Sequence, residues 1–171
     1  MSHSVAGEPP SAGRRAAPPT TAVYPAAEWD LLTSLPARVL VAATAPGPGR
    51  PRRGLPEGLA GLEALTAGRS FDSDLVRAVV SAIYARPDGQ PVAGAGDTDL
   101  VDLLAACREA VRVLDRRADP ADSAAYRQWV QSVAARVCRV PPAGRVRPAG
   151  EPPAPADLRF LDRLGDALGL R

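Results

Sequence analysis

The sequence predicts an all-α protein, an irregular bundle of six or seven helices with a disordered N-terminal tail and a Pro- and Arg-rich loop before the last helix. Three observations support this prediction. Apolar residues make up 46% of the chain but aromatic residues only 4%, and Ala, Leu and Val, which dominate the apolar set, suit closely packed helices. Two long segments repeat apolar residues at three- and four-residue steps. Pro and Gly clusters separate the segments. A chain of 171 residues predicts one helical domain, here residues 25–170.

Residues 1–24 are predicted to be the disordered tail, because they contain Ser, Gly, Pro and Arg with almost nothing to bury. His3, the only histidine of the chain, lies in this tail. Arg14 and Arg15 are not followed by an apolar run, so no twin-arginine export signal is expected. No stretch approaches the roughly 18 apolar residues of a membrane span. We therefore expect a cytoplasmic protein without a membrane span.

The charge of the chain is nearly balanced. The net charge is +2, which gives no strong field toward nucleic acid or a membrane surface. All 21 basic residues are Arg, a composition typical of a GC-rich bacterial genome such as an actinobacterial one. Because the chain has no Lys, a cluster of Arg indicates less here than it would elsewhere.

The first part of the domain is predicted to hold short helices joined by a linker. Residues 26–34 form the first helix, and Pro36 either kinks it or begins a second helix over residues 37–43. Residues 46–54, rich in Pro, Gly and Arg, are the linker.

Two further helices are predicted over residues 56–67 and 74–85. The first ends at Gly68, and its inward residues are expected to be Leu59, Leu62 and Leu65. The second is capped by Asp72 or Ser73. It is apolar over a wide arc, which is typical of a central helix.

Two long helices, residues 98–117 and 120–140, give the clearest periodicity, with Leu104 and Val133 expected inside. Asp119 followed by Pro120 is a helix start. The connection is too short for anything but close neighbours, so an antiparallel hairpin is expected.

The chain is predicted to finish with a loop, residues 141–154, and a last helix, residues 155–168, that ends at Gly169. The residues of this helix expected to face inward are Leu158, Leu161, Leu164 and Leu168.

Arginines form the one candidate surface for an anion or a partner. Arg108, Arg112 and Arg116 recur every four residues beside the apolar stripe of the first long helix, and Arg52 and Arg53 lie in the linker. Phosphate binding uses such residues. Glu109 and Asp115 interrupt the set, however, so an ordinary solvated helix face explains it as well.

The other reactive side chains predict no catalytic, cofactor-binding or metal site. Cys107 is central in its apolar stripe, which is typical of a buried thiol. Cys138 lies away from the stripe of its helix and is a possible free thiol; the helix geometry predicts no disulfide between the two. The clustered carboxylates fall mainly at helix starts, where they complement the helix dipole. The predicted domain has no His, and its Cys and carboxylates do not have a spacing typical of zinc ligands. We therefore expect no metal site.

Residues 125–137, AYRQWVQSVAARV, and residues 161–169, LDRLGDALG, resemble a group of small bacterial helical proteins, as do residues 28–32. The group is similar to TerB-type helical domains, and the similarity covers most of residues 26–170. It implies an all-helical fold. The acidic metal-binding signature of TerB-type domains has no residue-by-residue match here, and Pro and Arg replace the Gly-rich linker expected before the last helix. The resemblance therefore implies no activity and no site.

Three functions remain open. The leading hypothesis is a non-enzymatic interaction or accessory domain that binds a protein partner or itself, because a good helical core comes with no convergent chemistry. The alternative is a small-molecule binder or enzyme that uses carboxylates and Arg in a pocket of the bundle. A weak nucleic-acid binder with Arg-rich loops is the second alternative, although nucleic acid is not the expected partner. No cofactor is expected.

Overall fold

A computed structural model describes residues 23–50, 53–85, 99–141 and 152–170, and six α-helices account for most of them. The helices are α1 (Ala26–Thr44), α2 (Leu55–Ala67), α3 (Asp74–Tyr84), α4 (Leu100–Arg117), α5 (Pro120–Arg139) and α6 (Pro155–Ala167). A short 3₁₀ turn, Gly68–Ser70, joins α2 to α3. The described residues contain no β-strand, only an isolated bridge between Gly47 and Arg50. The predicted all-α fold class is confirmed.

Helix α1 continues through Pro36 to Thr44, so the alternative in which Pro36 begins a second helix is wrong. Proline has no N–H, and within a helix it leaves the carbonyl four residues earlier without its usual donor. Here that carbonyl belongs to Leu32, and the buried hydroxyl of Tyr126 donates to it at 2.8 Å. A side chain of α5 thus supplies the hydrogen bond that Pro36 cannot.

Helix α5 is the central element of the bundle, whereas the wide apolar arc of residues 74–85 predicts a central position for α3. Helix α5 contacts all five of the other α-helices, whereas α3 packs against α1, α5 and the 3₁₀ turn. Buried side chains recur along α5 from Ser123 to Cys138. The indole N–H of Trp129 donates to the carbonyl of Ala64 at 3.2 Å, which ties α5 to α2.

Polar caps fix the helix starts much as the sequence predicts. The hydroxyl of Ser73 accepts the N–H of Val76 at the start of α3. Asp99 and Asp119 accept N–H groups in the same way at the starts of α4 and α5. Such caps satisfy donors that a first turn otherwise leaves unpaired.

The two ends of the described chain are packed into the bundle. Tyr24, which the sequence assigned to the tail, is buried against the ring of Trp29 at a centroid separation of 5.8 Å. The rest of the predicted tail, residues 1–22, lies outside the described residues. At the other end Gly169 has a φ of +65°, and Leu170 donates to the carbonyl of Gly165, the expected glycine-terminated helix end.

Several residues predicted to face inward do not do so. Val133 is buried as predicted, but Leu104 is only half-buried at the edge of the core. In α6, Leu158 is 39% exposed, while Phe160 and Asp157 are buried. The largest difference concerns α2, which turns three of its four leucines outward.

Candidate functional site

The most distinctive surface of the protein is a row of leucines along α2, which we call the leucine ridge: Leu55, Leu59, Leu62 and Thr66, extended by Tyr84 of α3. The exposed fractions of the three leucines are 74%, 49% and 41%. The prediction that Leu59 and Leu62 face the core is therefore wrong, although Leu65 is buried as predicted.

Small residues cause this orientation of α2. A Cβ atom on Gly61 would lie 2.1 Å from Cδ1 of Leu40 and 2.8 Å from Cγ2 of Val137. A Cβ atom on Gly68 would lie 2.7 Å from the indole nitrogen of Trp129. The backbone of α2 and its end therefore pack directly on α1 and α5, at a distance that admits glycine but no leucine. Three of the four leucines of α2 are left on the outer face.

The outer face of α2 is almost free of charge. Of its exposed side chains only Glu63 is ionisable, since Glu57 is buried and accepts the N–H of Gly54 at 2.9 Å. Gly58 is open on its outer side, with no heavy atom within 4 Å of the Cβ position. Depletion of charge around apolar residues is typical of the centre of protein interfaces.

Tyr84 continues the leucine ridge beyond the end of α2. Its hydroxyl forms a hydrogen bond of 2.6 Å with the hydroxyl of Thr66. The guanidinium of Arg69 lies over its ring at 4.5 Å from the centroid. These contacts fix the position of the Tyr84 ring on the surface, where much of the side chain remains exposed.

The predicted arginine surface of α4 is exposed but partly neutralised. Arg112 forms an ion pair with Glu109 at 2.5 Å. Arg116 lies 3.4 Å from Glu28 of α1 and 3.9 Å from Glu109. Arg108 is exposed on the same helix. The hydrogen bond from Arg117 is the main cause that lowers the pKa of Glu28, which indicates a surface of mixed charge.

Arg53, predicted to belong to the anion or partner surface, is buried instead. Its guanidinium pairs with Asp157 at 2.5 Å and donates to the carbonyl of Val137 at 2.7 Å. Arg50 pairs with the same carboxylate at 3.0 Å and donates to carbonyls at the end of α1. The two arginines therefore attach the linker to the rest of the bundle. Arg52 lies outside the described residues.

Asp157 was missed as a structural centre because the sequence shows only an acidic residue in the first turn of a helix. That position is usual for a carboxylate that complements the helix dipole. Its partners are more than 100 residues away along the chain. A local pattern carries no signal for contacts at such a separation.

Cys138 is buried, although its position away from the apolar stripe of its helix predicts an exposed thiol. Both cysteines are free and buried. Burial raises the pKa of Cys138 to about 11 and that of Cys107 to about 12. Since the thiolate is the reactive form, neither cysteine has the properties of a nucleophile at neutral pH.

A cleft of about 460 Å³ opens between the end of α1 with its following loop, the start of α4 and the outer side of α6. Phe160 and Leu100 contribute apolar surface to it, and Arg159 and Arg163 contribute guanidinium groups. The sequence singled out neither arginine, since they stand on a helix with two aspartates nearby.

In the described part of the chain, no group of three or more His, Cys, Asp or Glu side chains is arranged to hold a metal ion. None of the described helices combines the length and the apolar character needed to cross a bilayer. His3 and residues 142–151 of the predicted loop before the last helix lie outside the described residues.

Comparison with protein-family models, with curated proteins and with solved structures finds no match.

Proposed function

We propose that this chain is a non-enzymatic interaction domain that associates with a second copy of itself through the leucine ridge. One observation carries the proposal: leucines occupy the face of α2 that is turned away from the core, while Gly61 and Ala64 occupy the inner face. A helix that is apolar on both sides has surface to bury beyond its own domain.

The spacing of the leucine ridge favours a helix as the occupant. Leu55, Leu59, Leu62 and Thr66 follow one another at steps of four, three and four residues, the alternation that forms the seam of paired helices. Two copies of such a seam are complementary to each other, since each offers leucines to the other. Within α2 itself, Glu63 is the one exposed ionisable side chain, so little like-charge repulsion arises between the α2 helices of two copies.

Gly58 supports a close approach from outside. Glycine in a helix costs about 0.5–1 kcal/mol relative to alanine, and at Gly58 no packing inside the described structure requires it. A missing side chain beside Leu55 and Leu62 leaves room for the backbone or side chains of a second helix.

The size of the ridge predicts a weak dimer. Its helical part extends about 16 Å, at 1.5 Å per residue. Stable interfaces bury roughly 800 Å² on each partner, more than a few leucines supply. We expect a reversible dimer with a dissociation constant in the micromolar range or above.

Nucleic-acid binding is less well supported. Arg112 and Arg116 are paired with Glu109 and Glu28, which leaves less positive charge for phosphates. The TerB-like resemblance and a cytoplasmic location are compatible with this proposal and remain predictions.

Sedimentation equilibrium of the full chain from low micromolar to near-millimolar concentration tests the proposal. The wild-type protein is expected to shift from monomer to dimer as the concentration rises. Leu59→Asp is expected to remain monomeric, because a carboxylate would be buried in the seam.

The matched control is Leu158→Asp, which places the same charge on a partly exposed leucine of α6. It is expected to dimerise like the wild type, and circular dichroism melts establish that both variants are folded. A wild-type protein that stays monomeric throughout would overturn self-association and leave a heterologous helix as the occupant of the ridge. Equal dimerisation of the Leu59→Asp variant would place the interface elsewhere.

A further inference from the structure

The cleft between α1, α4 and α6 combines the two properties of a small-molecule site, a suitable size and a division into apolar and charged parts. Its volume of about 460 Å³ lies within the roughly 300–1,000 Å³ of ligand pockets. It lies on a different part of the bundle from the leucine ridge, and nothing in the proposed self-association uses it.

The apolar part of the cleft is preformed. Phe160 is almost fully buried, and the guanidinium of Arg50 covers its ring at 4.3 Å from the centroid. Leu100 and Ala42 add aliphatic surface from α4 and α1. An apolar group of a ligand would therefore meet fixed side chains.

The charged part consists of two exposed arginines of α6. Arg159 and Arg163 are four residues apart on α6 and line the same cleft. Among the described residues neither takes part in an ion pair. Like charges at this spacing repel each other in a helix, and a bound anion would reduce that repulsion.

Arg50 also lines the cleft, but it differs from Arg159 and Arg163 because its donors already have partners within the protein. Its donors are engaged by Asp157 and by the carbonyls of Ala42 and Ala43. Arg50 therefore holds α1 and α6 together, whereas Arg159 and Arg163 retain donors for a ligand. Guanidinium groups bind carboxylate and phosphate oxygens in pairs of parallel hydrogen bonds.

We propose that this cleft binds a small organic anion, a carboxylate or a phosphate attached to an apolar group. Arg159 and Arg163 bind the anionic head, and the apolar group lies on the Phe160 and Leu100 side. The carboxylate of Asp99 lines the cleft from the start of α4 and repels an anion there, so the head is directed to α6.

Isothermal titration calorimetry and backbone amide NMR shifts on the full chain test this proposal with four probes: hexanoate, hexyl phosphate, inorganic phosphate and hexanol. Hexanoate and hexyl phosphate are expected to bind saturably and to shift the amides of residues 159–163. Hexanol lacks the anionic group and inorganic phosphate lacks the apolar group. Both are expected to bind at least about tenfold more weakly, a difference of about 1.4 kcal/mol.

The double variant Arg159→Gln/Arg163→Gln is expected to weaken binding of both anions by at least about tenfold. The matched control is Arg108→Gln/Arg112→Gln, which removes two arginines at the same spacing from α4 and should leave binding unchanged. The absence of saturable binding by both anions at millimolar concentration would overturn the proposal. So would equal losses in the two double variants, or binding of hexanol as tight as that of hexanoate.

Discussion

Among single residues, Asp157 connects the most distant parts of the chain. Its carboxylate forms ion pairs with Arg50 and Arg53 of the linker, and Arg53 also donates a hydrogen bond to the carbonyl of Val137 near the end of α5. Both partners in the Arg53–Asp157 ion pair are almost fully buried. Such pairs cost desolvation free energy when they form, but breaking one leaves a buried charge without compensation.

Asp157→Asn is therefore expected to lower the free energy of unfolding strongly, by about 3 kcal/mol or more. The change keeps the shape of the side chain but leaves Arg53 buried opposite a neutral amide. Urea denaturation followed by circular dichroism measures the effect. Asp115→Asn, which breaks the more exposed ion pair with Arg127, is the control and is expected to cost less than about 1 kcal/mol. Equal effects of the two changes would contradict a structural role for the buried pair.

The position of Arg53 could not be predicted from its neighbours in the sequence. A linker rich in Pro, Gly and Arg usually lies on the surface in solvent. Its burial depends on Asp157 and on the carbonyl of Val137, and these groups come together only when α5 and α6 are packed. The same holds for Cys138, which lies away from the stripe of its helix but is buried because α5 packs against all five of the other α-helices.

At the scale of one element, the orientation of α2 follows from where its glycines lie. Periodicity alone placed the leucines inward, since it counts apolar side chains and not the distance that a neighbouring helix allows. Gly61 permits an approach to Leu40 and Val137 that no larger residue permits. The close packing of backbones outweighed the burial of Leu59 and Leu62.

The orientation of α2 predicts opposite effects for two identical substitutions in one helix. Gly61→Ala is expected to lower the free energy of unfolding by about 1–3 kcal/mol, because the new methyl group meets Leu40 and Val137. Gly58→Ala is expected to raise it by up to about 1 kcal/mol, because the position is open and alanine favours the helix. Urea denaturation at a concentration where the protein is monomeric compares the two. If Gly61→Ala were stabilising, the inner face of α2 would be assigned wrongly.

For the whole molecule, the fold class could be predicted because periodicity, proline and glycine all indicate the same helices. The starts of α3, α4 and α5 follow from Ser73, Asp99 and Asp119, whose side chains act within their own first turn. The candidate sites could not be predicted in the same way. The leucine ridge and the arginines of the cleft depend on which side of each helix the neighbours leave free.

Self-association through α2 is the central functional claim, and a spin-label distance between two copies tests it most directly. The natural thiols are buried with raised pKa values, so a label reacts with a cysteine introduced by Glu63→Cys beside the leucine ridge. At concentrations where the dimer forms, labels at this position are expected to show a short intermolecular distance, since packed helices lie about 8–10 Å apart. Labels introduced by Asp102→Cys on α4 are expected to be farther apart. No intermolecular distance at position 63, or a shorter one at position 102, would contradict the claim.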